Sequence, residues 1–156
     1  MPLHFELVTP ERIVFKTDAD RITLPTAEGE ITVLPHHVPL VARLVAGIAT
    51  LVVGGVEEEV AVSGGFIEVG EGDNVRVLAD TAERGVELDI SVIEAAKIRA
   101  EEVMKNVAQT DDNAYAMAAA SLQRELAREK VARRARAGRR VPTLDAANLP
   151  HDENPV

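Results

Sequence analysis

The hydrophobic period of this chain changes once, near residue 80, and that change fixes a fold with two unlike parts. Before it, short apolar runs rich in Val, Ile and Thr are punctuated by Gly, Pro and Asp, which is the pattern of strands. The candidate strands are Leu3–Val8, Arg12–Phe15, Asp20–Leu24, Ile31–Leu34, Ile48–Val53, Val60–Ser63, Phe66–Val69 and Val75–Leu78. Turn signals fall between them at Thr9-Pro10, Glu28-Gly29, Gly54-Gly55, Gly64-Gly65 and Gly72-Asp73-Asn74. Strands at this spacing, with no helical pattern among them, predict a sandwich or barrel. The Gly64-Gly65 pair suits a sharp corner where the chain changes sheets, because Gly tolerates positive φ.

After Ala79 the period becomes helical. Ile93, Ala96, Ala100, Val103 and Val107 recur at the spacing of one helix face. Ser91 and Glu94 have the spacing of a capping box, with Asp89 as a rival N-cap. A polar break at residues 109–113 separates a second helix, which Asp111 or Asp112 can cap and which carries Tyr115, Ala119, Leu122 and Leu126 as a stripe. A short break between two such helices predicts an antiparallel hairpin, and Gly138 is a plausible stop. The expected class is therefore α+β, with units at residues 1–86 (sandwich) and 87–138 (hairpin). Residues 139–156 are expected to form a disordered tail, rich in proline and without a period.

Charge is as unevenly spread as period. The net charge of the 156 residues is −9. Residues 1–90 hold 6 basic and 16 acidic side chains, whereas residues 121–140 hold 8 basic and 2 acidic. An acidic body with a basic arm predicts that the arm meets an acidic surface. The arm is an unpromising nucleic-acid binder, since the body repels phosphate and no aromatic residues interleave for base stacking. With no cysteine, disulfides and thiolate chemistry are excluded. No apolar run approaches the roughly 20 residues of a membrane-spanning helix, so a link to a membrane is expected to go through a protein partner.

Few residues suggest chemistry. His36-His37 is a weak metal candidate, because neighbouring side chains on an extended chain point to opposite faces. Ser63-Gly64-Gly65-Phe66 lacks the Lys-Ser/Thr ending and the following helix of a phosphate loop. Glu57-Glu58-Glu59 reads as a charged hairpin edge that discourages edge pairing. No metal, cofactor or catalytic constellation is expected.

The order of motifs resembles the epsilon subunit of bacterial F-type ATP synthases over about residues 1–138. The resemblance rests on Val8-Thr9-Pro10-Glu11, Leu24-Pro25-Thr26-Ala27-Glu28-Gly29-Glu30-Ile31, Leu34-Pro35-His36-His37-Val38-Pro39-Leu40, Val62-Ser63-Gly64-Gly65-Phe66-Ile67-Glu68-Val69, Val77-Leu78-Ala79-Asp80-Thr81-Ala82-Glu83 and Ala96-Lys97-Ile98-Arg99-Ala100-Glu101. It implies a flattened β-sandwich of about ten strands and a mobile helical hairpin. It also implies a non-catalytic rotor subunit of a proton- or sodium-translocating synthase, bound to the gamma subunit and the c-ring. The place implied is peripheral, on the cytoplasmic face of the bacterial cell membrane. In the family the extended hairpin reaches the alpha/beta head and blocks ATP hydrolysis.

Residue by residue, the resemblance implies ring or gamma contacts for Glu30 and His37, and beta-subunit contacts in the inhibited state for Arg133, Arg134 and Arg136. Some members bind ATP between the folded helices through an Ile/Leu-Asp-x-x-Arg-Ala motif. Here Glu83, Asp89, Arg124 and Arg128 match that site, but Val92 stands for its Arg and Ile93 for its Ala. Loss of one charge-assisted contact, worth about 1.5–3 kcal/mol, implies weak or no ATP binding by the subunit itself. A second departure is His36, where the family usually has Gly. A reading from another class is a free-standing β-sandwich adaptor whose basic helix binds nucleic acid.

Overall fold

Leu3, Phe5 and Leu7 are buried while His4 between them is exposed, and Val75, Val77 and Ala79 repeat this alternation. Period-2 burial of this kind puts one strand face on a core. The computed structural model describes residues 1–107 and 111–138; the expected tail at 139–156 lies outside them. Its elements are β1 (Leu3–Val8), β2 (Ile13–Ala19), β3 (Arg21–Thr26), β4 (Gly29–Val33), β5 (Leu40–Arg43), β6 (Gly47–Val53), β7 (Val56–Val69) and β8 (Asn74–Arg84). A short 3₁₀ turn at Gly85–Glu87 leads into α1 (Ile90–Val107) and α2 (Asp112–Gly138).

The strands run β2-β1-β8-β7-β6-β3-β4, with β5 paired to β7 off this path. All pairings are antiparallel except β1 with β8, which run parallel from His4↔Asn74 to Val8↔Leu78. Strand β7 joins the layers. Its first half, through Val62, pairs with β6, and Phe66–Val69 pairs with β5. The change of partner falls at Gly64 and Gly65, both at positive φ. The main core, including Phe5, Leu7, Ile22, Leu24, Leu51 and Ile67, draws every buried member from residues 3–82.

The strand count differs from the expectation. Eight strands are present among the described residues, not about ten. The runs Val60–Ser63 and Phe66–Val69 are one strand, because the glycine pair bends the chain while the ladder to β8 continues on both sides. Strand β5 was not expected from the pattern. It has only four residues and no fully buried position.

The helices start where capping chemistry places them. Asp89 wins over Ser91: its Oδ1 accepts the Ser91 backbone N–H at 2.9 Å and the Ser91 hydroxyl at 2.7 Å. Asp111 caps α2 by accepting N–H bonds from Asn113 and Ala114 at 3.0 and 3.1 Å. Ion pairs Glu94–Arg133 and Lys97–Glu129 join the helices in descending register, so the pair is antiparallel. The α2 stripe is offset from the expected one. Tyr115 and Leu126 are exposed, while Ala118, Glu125 and Ala132 face inward. A second, smaller cluster of Ala61, Leu88, Ile93, Val131 and Ala132 fastens both helices to the sheet.

Candidate functional site

Helix α2 lies against the sandwich through this second apolar cluster, close backbone approach and charge. A Cβ on Gly85 would come 2.6 Å from the Ala135 Cβ and 2.9 Å from the Val131 carbonyl. The absent side chain therefore lets the helix approach the end of β8 this closely. Arg128 reaches the sandwich with a two-pronged grip on Glu83, from Nε at 2.5 Å and from Nη2 at 3.1 Å. Its remaining Nη1 donates to Glu125 at 2.8 Å. Arg124 donates to the other Glu125 oxygen from Nε at 3.2 Å. Burial works against the Arg128 charge, but the bonds to Glu83 and Glu125 outweigh it and raise its pKa. One further link, Arg134 to Glu59 of β7, ties the C-terminal half of α2 to the sheet.

Three of the four residues matched to a nucleotide site are thus brought together, and one is not. Glu83, Arg124 and Arg128 form one cluster around Glu125. Asp89 caps α1, its pKa lowered mainly by the hydroxyl and backbone of Ser91. A weaker attraction comes from Arg136, which is two helical turns, about 12 Å, beyond Arg128. Val92 is half exposed and Ile93 fully buried.

The arginines expected to meet an acidic partner are unequally engaged. Arg133 donates to Glu129 at 2.8 Å and to Glu94 at 3.0 Å, both within the hairpin. Glu129, held by Lys97 and Arg133, has its pKa lowered. Arg134 is tied to the sandwich, and Arg136 forms no ion pair among the described residues.

Glu30 and His37 lie towards opposite ends of one strand. Glu30 is exposed at the start of β4, opposite Pro25. His37 lies beyond the other end of that strand, about 13 Å away for the four steps from Glu30 to Leu34. The His37 N–H bonds to the Leu34 carbonyl at 3.1 Å, closing a turn with Pro35 and His36 in its centre. His36 takes φ 65, the left-handed angle that glycine supplies in type II turns. His36 thus holds the backbone angle that a glycine there would supply. The compensation comes from Asp73, whose Oδ1 accepts the His36 N–H at 2.5 Å and whose backbone carbonyl accepts the His4 N–H at 2.8 Å. Leu34 and Val38 of the same loop are left exposed.

Sequence reasoning missed three contributors: Glu125, Glu59 and Gly85. Arg128, three residues from Glu125, was a usable signal, since i,i+3 side chains meet on a helix, whereas the adjacent Arg124 was not. Nothing local to Glu59 or Gly85 announced their partners, which are 75 and about 50 residues away along the chain.

Comparison with known proteins bears on the family and the fold. Residues 2–85 match the family model for the "ATP synthase, Delta/Epsilon chain, beta-sandwich domain". The ATP synthase epsilon chain of Herpetosiphon aurantiacus is 40% identical over 133 residues, covering 85% of this chain and 96% of the relative. That of Moorella thermoacetica is 43% identical over 131 residues, covering 83% and 96%. Among solved structures, a chain of the Euglena gracilis mitochondrial ATP synthase OSCP/F1/c-ring assembly superposes with a TM-score of 0.71 at 23% identity, covering 83% of this chain and 80% of that one. The last likeness is one of fold. A β-sandwich matched over its full length, two helices after it, and relatives matched nearly end to end converge on one assignment: this chain belongs to the ATP synthase epsilon chain family, non-catalytic accessory subunits of the rotary ATP synthase.

Proposed function

We propose that this chain is a central-stalk rotor subunit that couples gamma to the c-ring and restrains ATP hydrolysis through its hairpin. The observation that carries this reading is the division of the hydrophobic core. The sandwich core is complete within residues 3–82, while the hairpin is held on by five buried side chains and a few ion pairs. A partly exposed ion pair is worth about 0–1 kcal/mol, so docking rests mainly on this one small apolar cluster, and docked and extended hairpins are the two states of a population switch. Residues 1–86 are then the rigid coupling unit and residues 87–138 the regulatory one.

On extension, Arg134 leaves Glu59 and Arg128 leaves Glu83. With Arg133 and Arg136 they present positive charge to the acidic surface of the catalytic beta subunit. Binding of ATP by the isolated subunit is weak or absent, because carboxylates already occupy Arg124 and Arg128. Among the described residues, no helix is long and apolar enough to cross a membrane. Association with the cytoplasmic face of the bacterial cell membrane therefore runs through gamma and the ring. The same engagement of arginines by glutamates counts against a nucleic-acid arm.

The coupling half of the reading is tested at Glu30. This exposed carboxylate accepts hydrogen bonds from polar ring or gamma loops. Loss of one such bond costs about 1.5–3 kcal/mol, a tenfold to hundredfold loss of affinity. Glu30→Lys is expected to lower proton pumping per ATP hydrolysed and to weaken ring binding by that factor. Unchanged pumping and binding would remove Glu30 from the interface.

A further inference from the structure

Glu125 is the one carboxylate of the hairpin that is fully buried, with 1% of its side chain exposed. Burying a carboxylate is costly unless it is paired and hydrogen-bonded. Here Oε1 faces Arg124 and Oε2 faces Arg128. Arg128 also carries Glu83, so two guanidinium groups and two carboxylates form a cluster without net charge. All three Arg128 nitrogens, Nε, Nη1 and Nη2, donate to these carboxylates.

We propose that Glu125 is an internal anion that determines the specificity of this cluster: it fills the position between Arg124 and Arg128 that a phosphate group would otherwise occupy. The docked hairpin then needs no bound nucleotide. An incoming phosphate meets a neutral cluster and a carboxylate directly opposite, and like charges at such a distance repel. The inference rests on the docked-hairpin reading and gives it a cause: the helix carries its own counter-anion. Were Glu125 neutral, Arg124 and part of Arg128 would be left unpaired in a half-buried place. That weakens docking and creates a site for an anion.

The test uses the full chain and hydrogen exchange of α2 amides, with sandwich amides as the internal standard of folding. Glu125→Gln keeps the shape of the side chain and removes its charge. It is expected to speed α2 exchange by roughly tenfold or more. Millimolar inorganic pyrophosphate is expected to restore the slow exchange. The unmodified chain and Glu125→Asp, which keeps the charge, are expected to ignore pyrophosphate. Should the Gln variant lose the sandwich signal, Glu125→Ala carries the same comparison. A merely structural Glu125 would give faster exchange with no rescue by the anion, and that result overturns the proposal while leaving the docked hairpin in place. Equal pyrophosphate binding by the unmodified chain and the Gln variant overturns it as well. Rapid α2 exchange in the unmodified chain, unaffected by pyrophosphate in any form, overturns both the proposal and the docked-hairpin reading beneath it.

Discussion

Gly65→Ala is expected to prevent the sandwich from folding, or to leave it so destabilised that little protein is recovered. A Cβ at this position would lie 1.8 Å from the Leu78 carbonyl oxygen, inside any real contact distance, and a tight 3.1 Å from the Ala79 Cα. Both atoms belong to the backbone of β8, an interior strand paired to β1 on one side and β7 on the other. It cannot retreat without breaking a ladder. The φ of +116° at Gly65 adds strain for any L side chain. Losses above about 4 kcal/mol are exceptional for one substitution, yet this clash is with fixed backbone, and a domain has only about 5–15 kcal/mol to lose. Two neighbours calibrate the effect. At Gly64 the nearest atoms belong to the Asp80 side chain, which can swing aside. At Gly54 nothing lies within 4 Å, so Gly54→Ala meets only the backbone cost of about 1–3 kcal/mol. Thermal unfolding of the three variants is expected to rank Gly65 far below Gly64, and Gly64 below or level with Gly54. A Gly65→Ala protein as stable as Gly54→Ala would show that the corner of β7 is not packed as described.

Truncation after Glu87 is expected to leave assembly intact and to raise ATP hydrolysis several-fold. No buried member of the main core is lost by this cut. The sandwich side of the second cluster comprises only Ala61 and the half-buried Ile48. Glu59 and Glu83 lose their arginines but gain water, which solvates a carboxylate well. The contact between Arg12 and Glu87, at 2.8 Å, survives. What disappears is the basic helix and with it any reach into the catalytic head. Neutral substitutions at Arg133, Arg134 and Arg136 are expected to reproduce part of the rise. Hydrolysis by the truncated enzyme no faster than the full-length one under several conditions would show that the hairpin does not inhibit here.

Much of the architecture was legible because it rests on local rules. Alternation located β1 and β8, and the acidic caps located both helix starts, with Asp89 and Asp111 bonding the first free N–H groups. The family resemblance supplied the order of the two parts. What local pattern did not carry was long-range pairing and buried charge. Two runs merged into β7 because β8 runs unbroken alongside both, a fact of tertiary structure. Strand β5 was invisible because four residues on an edge, two half-buried and two exposed, are too short a run for their alternation to be read. The inward stripe of α2 was misplaced by about one position because Glu125 reads as a solvent residue until its two arginines are seen around it. Of the residues matched to a nucleotide site, Glu83, Arg124 and Arg128 lie together and Asp89 caps α1, but the pairing of the two arginines with Glu125 was not read from the sequence. The arginines are present and clustered, and they are already engaged.

The rotor assignment itself is most directly tested by affinity capture of the tagged full-length chain from native membranes in mild detergent. Recovery of gamma, the ring subunit and the alpha and beta subunits with the chain is the expected result. Recovery of RNA or DNA without any of these subunits would contradict it.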